Sequence, residues 1–192
     1  MSMRLLLGST SPYRRGLLER LRVPFDVARP DVDETPLAGE DPRALAWRLA
    51  LAKATAVARG AADACVIGSD QVAALGADAI GKAGGRDAAI AQLVAMSGRE
   101  VRFFTALCVL APGHPAQAHV DTTRVRFRAF DAGTAARYVD AESPYDCAGS
   151  FKCEGLGIAL FDAIETSDPT ALVGLPLIAT ARMLRGVGFS IP

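Results

Sequence analysis

The sequence is poor in the residues that build zinc sites and disulfide frameworks. Its 192 residues include four cysteines and two histidines. The cysteines are Cys65, Cys108, Cys147 and Cys153. None forms a Cys-x-x-Cys pair, and scattered cysteines act more often as buried apolar side chains than as metal ligands. His114 and His119 lie in or beside a Pro-Gly-His-Pro turn, so we expect neither a zinc site nor a catalytic triad with a covalent intermediate.

Charge of one sign and long apolar runs are also absent. Lys plus Arg and Asp plus Glu both number 21, so the formal net charge is zero, whereas a protein that coats nucleic acid is usually basic. No stretch approaches the ~18 consecutive apolar residues of a membrane-spanning helix, and the apolar residues near the N-terminus are too few for a signal peptide. We expect a cytoplasmic protein with neither a nucleic-acid polymer nor a membrane as partner.

The apolar pattern predicts interleaved strands and helices in one domain, 1–192, since 192 residues are a usual length for one folded unit. Ser11-Pro12 and Asp41-Pro42 are typical helix starts, because Ser and Asp cap a helix and Pro suits its first turn. Predicted strands cover residues 4–8, 23–28, 65–68, 101–110, 118–130 and 158–164. Predicted helices begin at residue 12 and cover about 42–58, 87–96, 132–139 and 177–184. This order indicates the α/β class with a mixed sheet.

Three polar turns each follow a predicted strand. They are Ser9–Arg15, Asp33–Glu34 and Asp70–Gln71. In α/β sheets, ligands bind outside the carboxyl ends of the strands. We therefore expect the three turns to converge on one pocket, although they are far apart in the sequence.

The first turn has the features of a phosphate site. A helix N-terminus offers free backbone N–H groups, and Arg14 and Arg15 add charged donors beside the hydroxyls of residues 9–11. An ordinary capped helix with solvated arginines explains the same segment equally well. No Walker motif, Gly-x-x-x-x-Gly-Lys, is present there.

Three carboxylates, Asp33, Glu34 and Asp70, are candidate magnesium ligands, because Mg²⁺ prefers one or two carboxylates with water and substrate phosphates. An acidic loop is usually only solvated, so the pair at 33 and 34 is the weaker evidence. Asp70 is the stronger candidate, since a carboxylate beside a buried apolar run needs compensation. Lys53 and Lys82 are candidates for neutralising a triphosphate, although surface lysines are common.

These residues belong to a series of ordered motifs in which the chain resembles the Maf family of nucleotide pyrophosphatases. The motifs are Leu7–Arg15, Asp33–Pro36, Arg48–Ala50 with Lys53-Ala54, Gly68–Gln71, Gly81-Lys82, Ala148–Lys152 and Val173–Pro176. The resemblance implies a single two-lobed domain around a strongly twisted mixed sheet flanked by helices, similar to inosine triphosphatases. It also implies hydrolysis of a nucleoside triphosphate between the α and β phosphates with Mg²⁺ or Mn²⁺. Homodimerisation is a further family-level expectation.

Residue roles follow from the same resemblance. Asp70 matches the family's proposed general base and, with Glu34, its metal ligands. The phosphate-binding positions are Ser9, Arg14, Lys53 and Lys82. Three positions separate the family's substrate classes, and here they hold Tyr13, Gln71 and Glu154. Members that act on dTTP and UTP typically carry Arg, Thr and Gln there.

Those three residues are similar to the branch that hydrolyses 7-methyl-GTP. An aromatic ring stacks on a cationic methylated purine, and Glu154 accepts hydrogen bonds from guanine donors. Two positions depart from the usual pattern: Gly8 replaces Ala, and Tyr13 replaces the Trp of related sequences, which affects affinity more than specificity. Two alternatives stay open at this point: a nucleotide-binding regulator of cell division that does not hydrolyse its ligand, and a dTTP/UTP pyrophosphatase.

Overall fold

A computed structural model describes residues 3–192 of the chain. Its strands are β1 (Arg4–Gly8), β2 (Asp26–Ala28), β3 (Ala64–Leu75), β4 (Asp78–Ile80), β5 (Glu100–Leu110), β6 (Gln117–Phe127) and β7 (Phe161–Glu165). Its α-helices are α1 (Pro12–Glu19), α2 (Pro42–Ala58), α3 (Arg86–Met96), α4 (Ala132–Glu142) and α5 (Leu177–Gly186). None of these helices is long and apolar enough to cross a membrane.

The strands form one mixed sheet, as the sequence predicted. Their order is β2-β1-β3-β5-β6-β7, with β4 paired to β3. β1 is parallel to β2 and to the first part of β3, whereas the other pairs are antiparallel. The interleaved helices and this mixed sheet confirm the α/β class.

The first two helices begin where their capping residues predicted. The Ser11 side chain accepts from the backbone N–H of Arg14, and Pro12 is the first residue of α1. Asp41 caps α2 by accepting from the N–H groups of Arg43 and Ala44. Because α1 follows β1 after a three-residue turn, its N-terminus lies beside the carboxyl end of β1.

Helix α2 packs on β3 at very short range. A Cβ atom on Gly68 would lie 2.3 Å from the carbonyl oxygen of Ala50 and 2.5 Å from the amide nitrogen of Ala54. Only glycine permits this contact between the two backbones. The contact sets Lys53, on the same helix, beside Asp70, two residues after Gly68 in β3.

Several predicted boundaries were wrong. The predicted strand 118–130 ends at Phe127, and the predicted helix 132–139 extends to Glu142. Asp70–Gln71 is not a turn after a strand that ends at Gly68, because β3 continues to Leu75 and pairs with β5 from Val66 to Ala74. The predicted strand 23–28 is only Asp26–Ala28, since Pro24 lacks the N–H that a ladder needs.

The predicted strand 158–164 begins later than expected. Leu156–Leu160 form a short 3-10 helix, and β7 is Phe161–Glu165. Gly157 lies so close to the carbonyl of Lys152 that a Cβ would sit 2.4 Å from its oxygen. The chain is therefore turned back on itself here, and an extended conformation cannot start before residue 161.

Candidate active site

The turn between β1 and α1 holds one arginine in place and leaves the other in solvent. Ser9 is buried, and its hydroxyl oxygen accepts from Ser11 N at 3.2 Å and from Arg14 Nη1 at 3.4 Å. Arg14 Nε donates to the carbonyl of Gly174 at 2.9 Å. Arg15 instead pairs with Glu19 on the surface. The interpretation as a capped helix with solvated arginines therefore describes Arg15 but not Arg14.

Lys53 joins two carboxylates from different parts of the chain. Its Nζ atom lies 2.6 Å from Asp70 Oδ1 and 2.7 Å from Glu34 Oε1. Lys53 and Asp70 are buried, at 5% and 6% exposed, while the Glu34 side chain is 58% exposed. A buried carboxylate is stable only with such a partner, so the lysine supplies the compensation that the position of Asp70 requires.

Arg48 fixes the acidic loop that carries Glu34. Its guanidinium makes two bonds to the Glu40 carboxylate, at 2.6 and 2.7 Å, and one to the Thr35 carbonyl at 3.1 Å. The bonds from Arg48 lower the pKa of Glu40 to about 2. Asp33 accepts from Thr35 N at 2.9 Å, so its carboxylate shapes the loop itself.

The predicted phosphate and metal residues line one cleft, which we call the outer cleft. It contains Ser9, Arg14, Glu34, Lys53, Asp70 and Lys82, together with residues 29–33 of the acidic loop. Burial lowers the pKa of Arg14, and the charges of Asp70 and Glu34 oppose that change. The expected convergence of the three polar segments is thus present, although Asp70 comes from within a strand.

Lys82 lies on the exposed rim of the outer cleft, where α3 ties two segments together. Ser150 Oγ donates to Gln92 Oε1 at 2.6 Å, and Gln92 Nε2 donates to the Gly81 carbonyl at 3.2 Å. Lys82 also forms a backbone bridge with Ala148. Gln92 therefore links the residue before Lys82 to the loop that follows α4, a role that the sequence did not reveal.

A second cavity, the inner pocket, continues from the outer cleft. The two share a wall formed by Ser11, Tyr13, Arg14, Gln71, Lys82, Asp146 and Ala148. The inner pocket adds Phe103, Cys147, Phe151, Cys153, Glu154 and Leu172–Gly174. Its cavity volume is about 120 Å³, which is below the ~300–1,000 Å³ of typical small-molecule sites, so a ligand here would extend into the outer cleft. All three predicted specificity residues, Tyr13, Gln71 and Glu154, line it.

Two carboxylates of the inner pocket, Asp146 and Glu154, lie close enough to Tyr13 to affect its ionisation. Cys147 Sγ lies 3.9 Å from the Tyr13 hydroxyl and 3.6 Å from Asp146 Oδ1. Burial raises the pKa of Tyr13, and Cys147, Asp146 and Glu154 raise it further. Sequence reasoning missed Asp146; the signal was its place at the start of the glycine-punctuated loop 146–157.

The four cysteines are free thiols in two different locations. Cys65 and Cys108 are buried in the sheet, as expected for apolar side chains. Cys147 and Cys153 line the inner pocket instead. Burial raises the pKa of the Cys147 thiol to about 11 and that of Cys153 to about 12, so both are protonated at neutral pH.

The outer cleft offers two carboxylates to a cation rather than a complete protein cage. Residues 3–192 contain no group of three or more His, Cys, Asp or Glu side chains arranged for a metal ion. Asp70 and Glu34 nevertheless converge on one point, where the ammonium of Lys53 sits. Two carboxylates completed by water and substrate phosphates are the usual donors of Mg²⁺, so these residues fit a divalent ion that arrives with a phosphate ligand.

Comparisons with known proteins agree with this architecture. The profile of the family described as Maf-like protein matches residues 4–187. A protein of Xanthomonas oryzae pv. oryzae named 7-methyl-GTP pyrophosphatase is 60% identical over 189 residues, covering 98% of this chain and 99% of that protein. One of the same name from Paraburkholderia xenovorans is 58% identical over 192 residues, covering 98% and 94%.

A solved structure supports the fold. The Ham1 protein of Staphylococcus aureus aligns with a TM-score of 0.54 at 14% identity, covering 96% of this chain and 99% of that one. At such low identity the likeness concerns the fold alone.

Proposed function

This chain belongs to the Maf family, and we propose that it is a nucleoside triphosphate pyrophosphatase. Its proposed substrate is 7-methyl-GTP, which it cleaves between the α and β phosphates to give 7-methyl-GMP and pyrophosphate. Removing a modified nucleotide in this way is a house-cleaning activity. The observation that carries the proposal is the continuity of the two cavities: a cleft with Lys53 between two carboxylates opens into a pocket lined by Tyr13, Gln71 and Glu154.

The substrate assignment is supported by the chemistry of the inner pocket. Methylation at N7 gives guanine a positive charge, and a cation is favoured near an aromatic face and near carboxylates. Tyr13 supplies the ring, while Asp146 and Glu154 supply negative charge on the same side. The names of the similar proteins from Xanthomonas and Paraburkholderia point to the same substrate.

We propose the following division of labour in the outer cleft. Asp70 accepts the proton of a water molecule whose oxygen attacks the α phosphorus. The bond from that phosphorus to the bridging oxygen breaks, and pyrophosphate leaves with the electron pair. Arg14, Lys53 and Lys82 stabilise the negative charge that develops on the phosphate oxygens, and the Ser9 hydroxyl helps orient Arg14.

We propose Mg²⁺ or Mn²⁺ as the cofactor, held by Asp70 and Glu34. When bound, a divalent ion neutralises phosphate charge and polarises the phosphorus centre. Glu34 is suited to this role because its side chain is more than half exposed in the outer cleft, where a nucleotide would enter. Lys53 then turns from the carboxylates toward the phosphates.

We also propose that residues 1–192 act as one Maf-like domain in the cytoplasm on free nucleotides. The single sheet and a cleft lined both by residues of the first turn and by Asp146 and Ala148 support one unit. Homodimerisation remains a prediction.

Product analysis tests the proposed activity. Purified protein with 7-methyl-GTP and Mg²⁺ or Mn²⁺ is expected to yield 7-methyl-GMP and pyrophosphate in equal amounts, resolved by chromatography. Release of 7-methyl-GDP and phosphate would refute cleavage at the α–β bond. Binding without any product would support the alternative of a regulator that does not hydrolyse its nucleotide.

A further inference from the structure

The side-chain amide of Gln71 is tied to the protein through its nitrogen only. Nε2 carries two hydrogens and lies within hydrogen-bond distance of three oxygens, Thr105 Oγ1 at 2.9 Å, the Ala171 carbonyl at 3.0 Å and the Leu172 carbonyl at 3.1 Å, so one hydrogen is shared between two acceptors. The Thr105 hydroxyl in turn donates to the Ala171 carbonyl at 2.9 Å. A reversed amide would set its oxygen against two carbonyl oxygens, which cannot donate. These surroundings therefore determine which end of the amide faces away from them.

The other end of the amide, Oε1, is open to solvent. Within residues 3–192 this oxygen has no hydrogen-bond partner. Every buried side-chain nitrogen or oxygen in that part of the chain does have one, so an oxygen without a partner is not buried. Oε1 is therefore accessible, in a side chain that lines both the inner pocket and the outer cleft. Glu154, also in the inner pocket, has a carboxylate that only accepts when ionised.

Thr105 is placed to restrain the position of the Gln71 amide, whose orientation the two carbonyls fix. It lies directly opposite Gln71 in the pairing of β3 with β5, so the two side chains are on the same face of the sheet. Thr105 is fully buried. Valine has nearly the same shape and would pack in the same way, but it lacks the hydroxyl. That hydroxyl both accepts from Gln71 and restrains the Ala171 carbonyl, the second acceptor of the amide.

We infer that Thr105 is a positioning residue that holds Gln71 as a hydrogen-bond acceptor, so that the inner pocket selects purines that carry a donor at N1. This inference rests on the proposed function and specifies the base that the pocket reads. Guanine offers N1–H and a 2-amino group on its pairing edge. Adenine has a 6-amino donor on that edge, but its N1 is unprotonated and it lacks the 2-amino group. An acceptor placed for the N1–H of guanine would therefore face the N1 lone pair of adenine. The preferred class is therefore N7-methylated purine nucleotides with a guanine-type edge.

Base selectivity of Thr105 variants tests the inference. The readouts are the kcat/KM ratio of 7-methyl-GTP to 7-methyl-ATP and, with metal chelated, the Kd ratio of 7-methyl-GMP to 7-methyl-AMP. Thr105→Val is expected to reduce the preference for guanine by about fivefold, the factor that the net value of one hydrogen bond corresponds to. The loss should fall mainly on KM rather than on kcat. Thr105→Ser retains the hydroxyl and should retain the preference.

Thr123→Val is the matched control, because it also removes a buried strand hydroxyl, one bonded to Asp121 and Thr166 outside both cavities. It should lower Tm without changing base selectivity. An unchanged ratio in Thr105→Val, or an equal loss in Thr105→Ser, would overturn the inference. If the wild type binds guanine in preference to adenine but hydrolyses neither nucleotide, the proposed function fails and the Kd ratios still decide the role of Thr105.

Discussion

Asp70 combines burial with a nearby cation. Its carboxylate is 6% exposed and lies 2.6 Å from the ammonium of Lys53, so the free-energy cost of burying the charge is offset locally. The sequence drew attention to Asp70 because it follows an apolar run. Its partner comes from a helix that precedes the strand, and the contact depends on how α2 packs, which the order of residues alone does not reveal.

Removing the charge of Asp70 should stop turnover without unfolding the protein. We expect Asp70→Asn to lower kcat by at least about 100-fold, because a general base contributes that much or more. Lys53 keeps Glu34 as an ion-pair partner in this variant, so circular dichroism should be unchanged. Asp87→Asn, at a side chain that is 96% exposed, is the control and should retain wild-type kcat. A rate near wild type in Asp70→Asn would exclude Asp70 as the base.

The two cysteines of the inner pocket should be unreactive thiols. Burial raises the pKa of Cys147 to about 11 and of Cys153 to about 12. The thiolate is the reactive form of a cysteine, and only a trace of it is present when the pH is well below the pKa. Alkylation by iodoacetamide should therefore be slow at neutral pH. Its rate should continue to rise with pH beyond the pKa of a free thiol. Mass spectrometry of the modified peptides across pH, with a free cysteine peptide as reference, measures this. If the alkylation rate of either cysteine levelled off at the same pH as that of the free cysteine peptide, the raised pKa values would be wrong.

At the scale of elements, helix starts were predictable and the extent of the strands was not. Ser11 and Asp41 cap α1 and α2 as expected, because capping depends on local residues. The end of β3 was missed because Ser69–Gln71 looks polar. Its ladder is completed by β5, whose partner residues come some thirty residues later. The polar side chains find partners in three different places: Asp70 in α2, Gln71 in β5 and Ser69 at the Gly174 carbonyl.

Gly68 should be the glycine on which the packing of α2 depends most. Gly68→Ala would place a Cβ 2.3 Å from the Ala50 carbonyl oxygen, and we expect a loss of about 3 kcal/mol in the free energy of unfolding. Tm would then fall by about 6–12 °C for a chain of this size. Turnover at permissive temperature should fall as well, since the clash moves Lys53 relative to Asp70.

The matched control is Gly16→Ala in α1, where a Cβ would meet no atom within 4 Å. Alanine is the better helix former, so this variant should gain about 0.5–1 kcal/mol. Thermal unfolding followed by circular dichroism compares the two. Equal Tm values for the two variants would show that α2 does not depend on the close contact at Gly68.

At the scale of the whole molecule, the two cavities are lined by residues from distant parts of the chain, from the turn after β1 to the segment before α5. Ser9 and Gly174 lie near opposite ends of the chain, and Arg14 bonds to both. The sequence predicted which motifs take part, because each motif resembles its family counterpart. It did not predict the inner pocket or Asp146, since a cavity depends on the way the sheet and the loop 146–157 come together.

Metal and nucleotide should stabilise the protein only together. With two carboxylates and no third protein ligand arranged for a metal in residues 3–192, we expect Mg²⁺ or a chelator alone to leave Tm unchanged. Mg²⁺ with a non-hydrolysable 7-methyl-GTP analogue should raise Tm. At an analogue concentration of 100 times its Kd, the free energy of unfolding should increase by about 2.7 kcal/mol. Chelation should abolish turnover while the Tm of the free protein stays constant. A large rise in Tm with Mg²⁺ alone would instead indicate a complete protein cage for the ion.

This member of the Maf family is expected to prefer 7-methyl-GTP, and a panel of substrates decides whether it does. The measurement is kcat/KM for pyrophosphate release from 7-methyl-GTP, GTP, dTTP and UTP, each with Mg²⁺ and with Mn²⁺. The pocket of Tyr13, Gln71 and Glu154 predicts that 7-methyl-GTP ranks first with at least one of the two metals. A higher kcat/KM for dTTP or UTP than for 7-methyl-GTP with both metals would refute the specificity roles of Tyr13, Gln71 and Glu154.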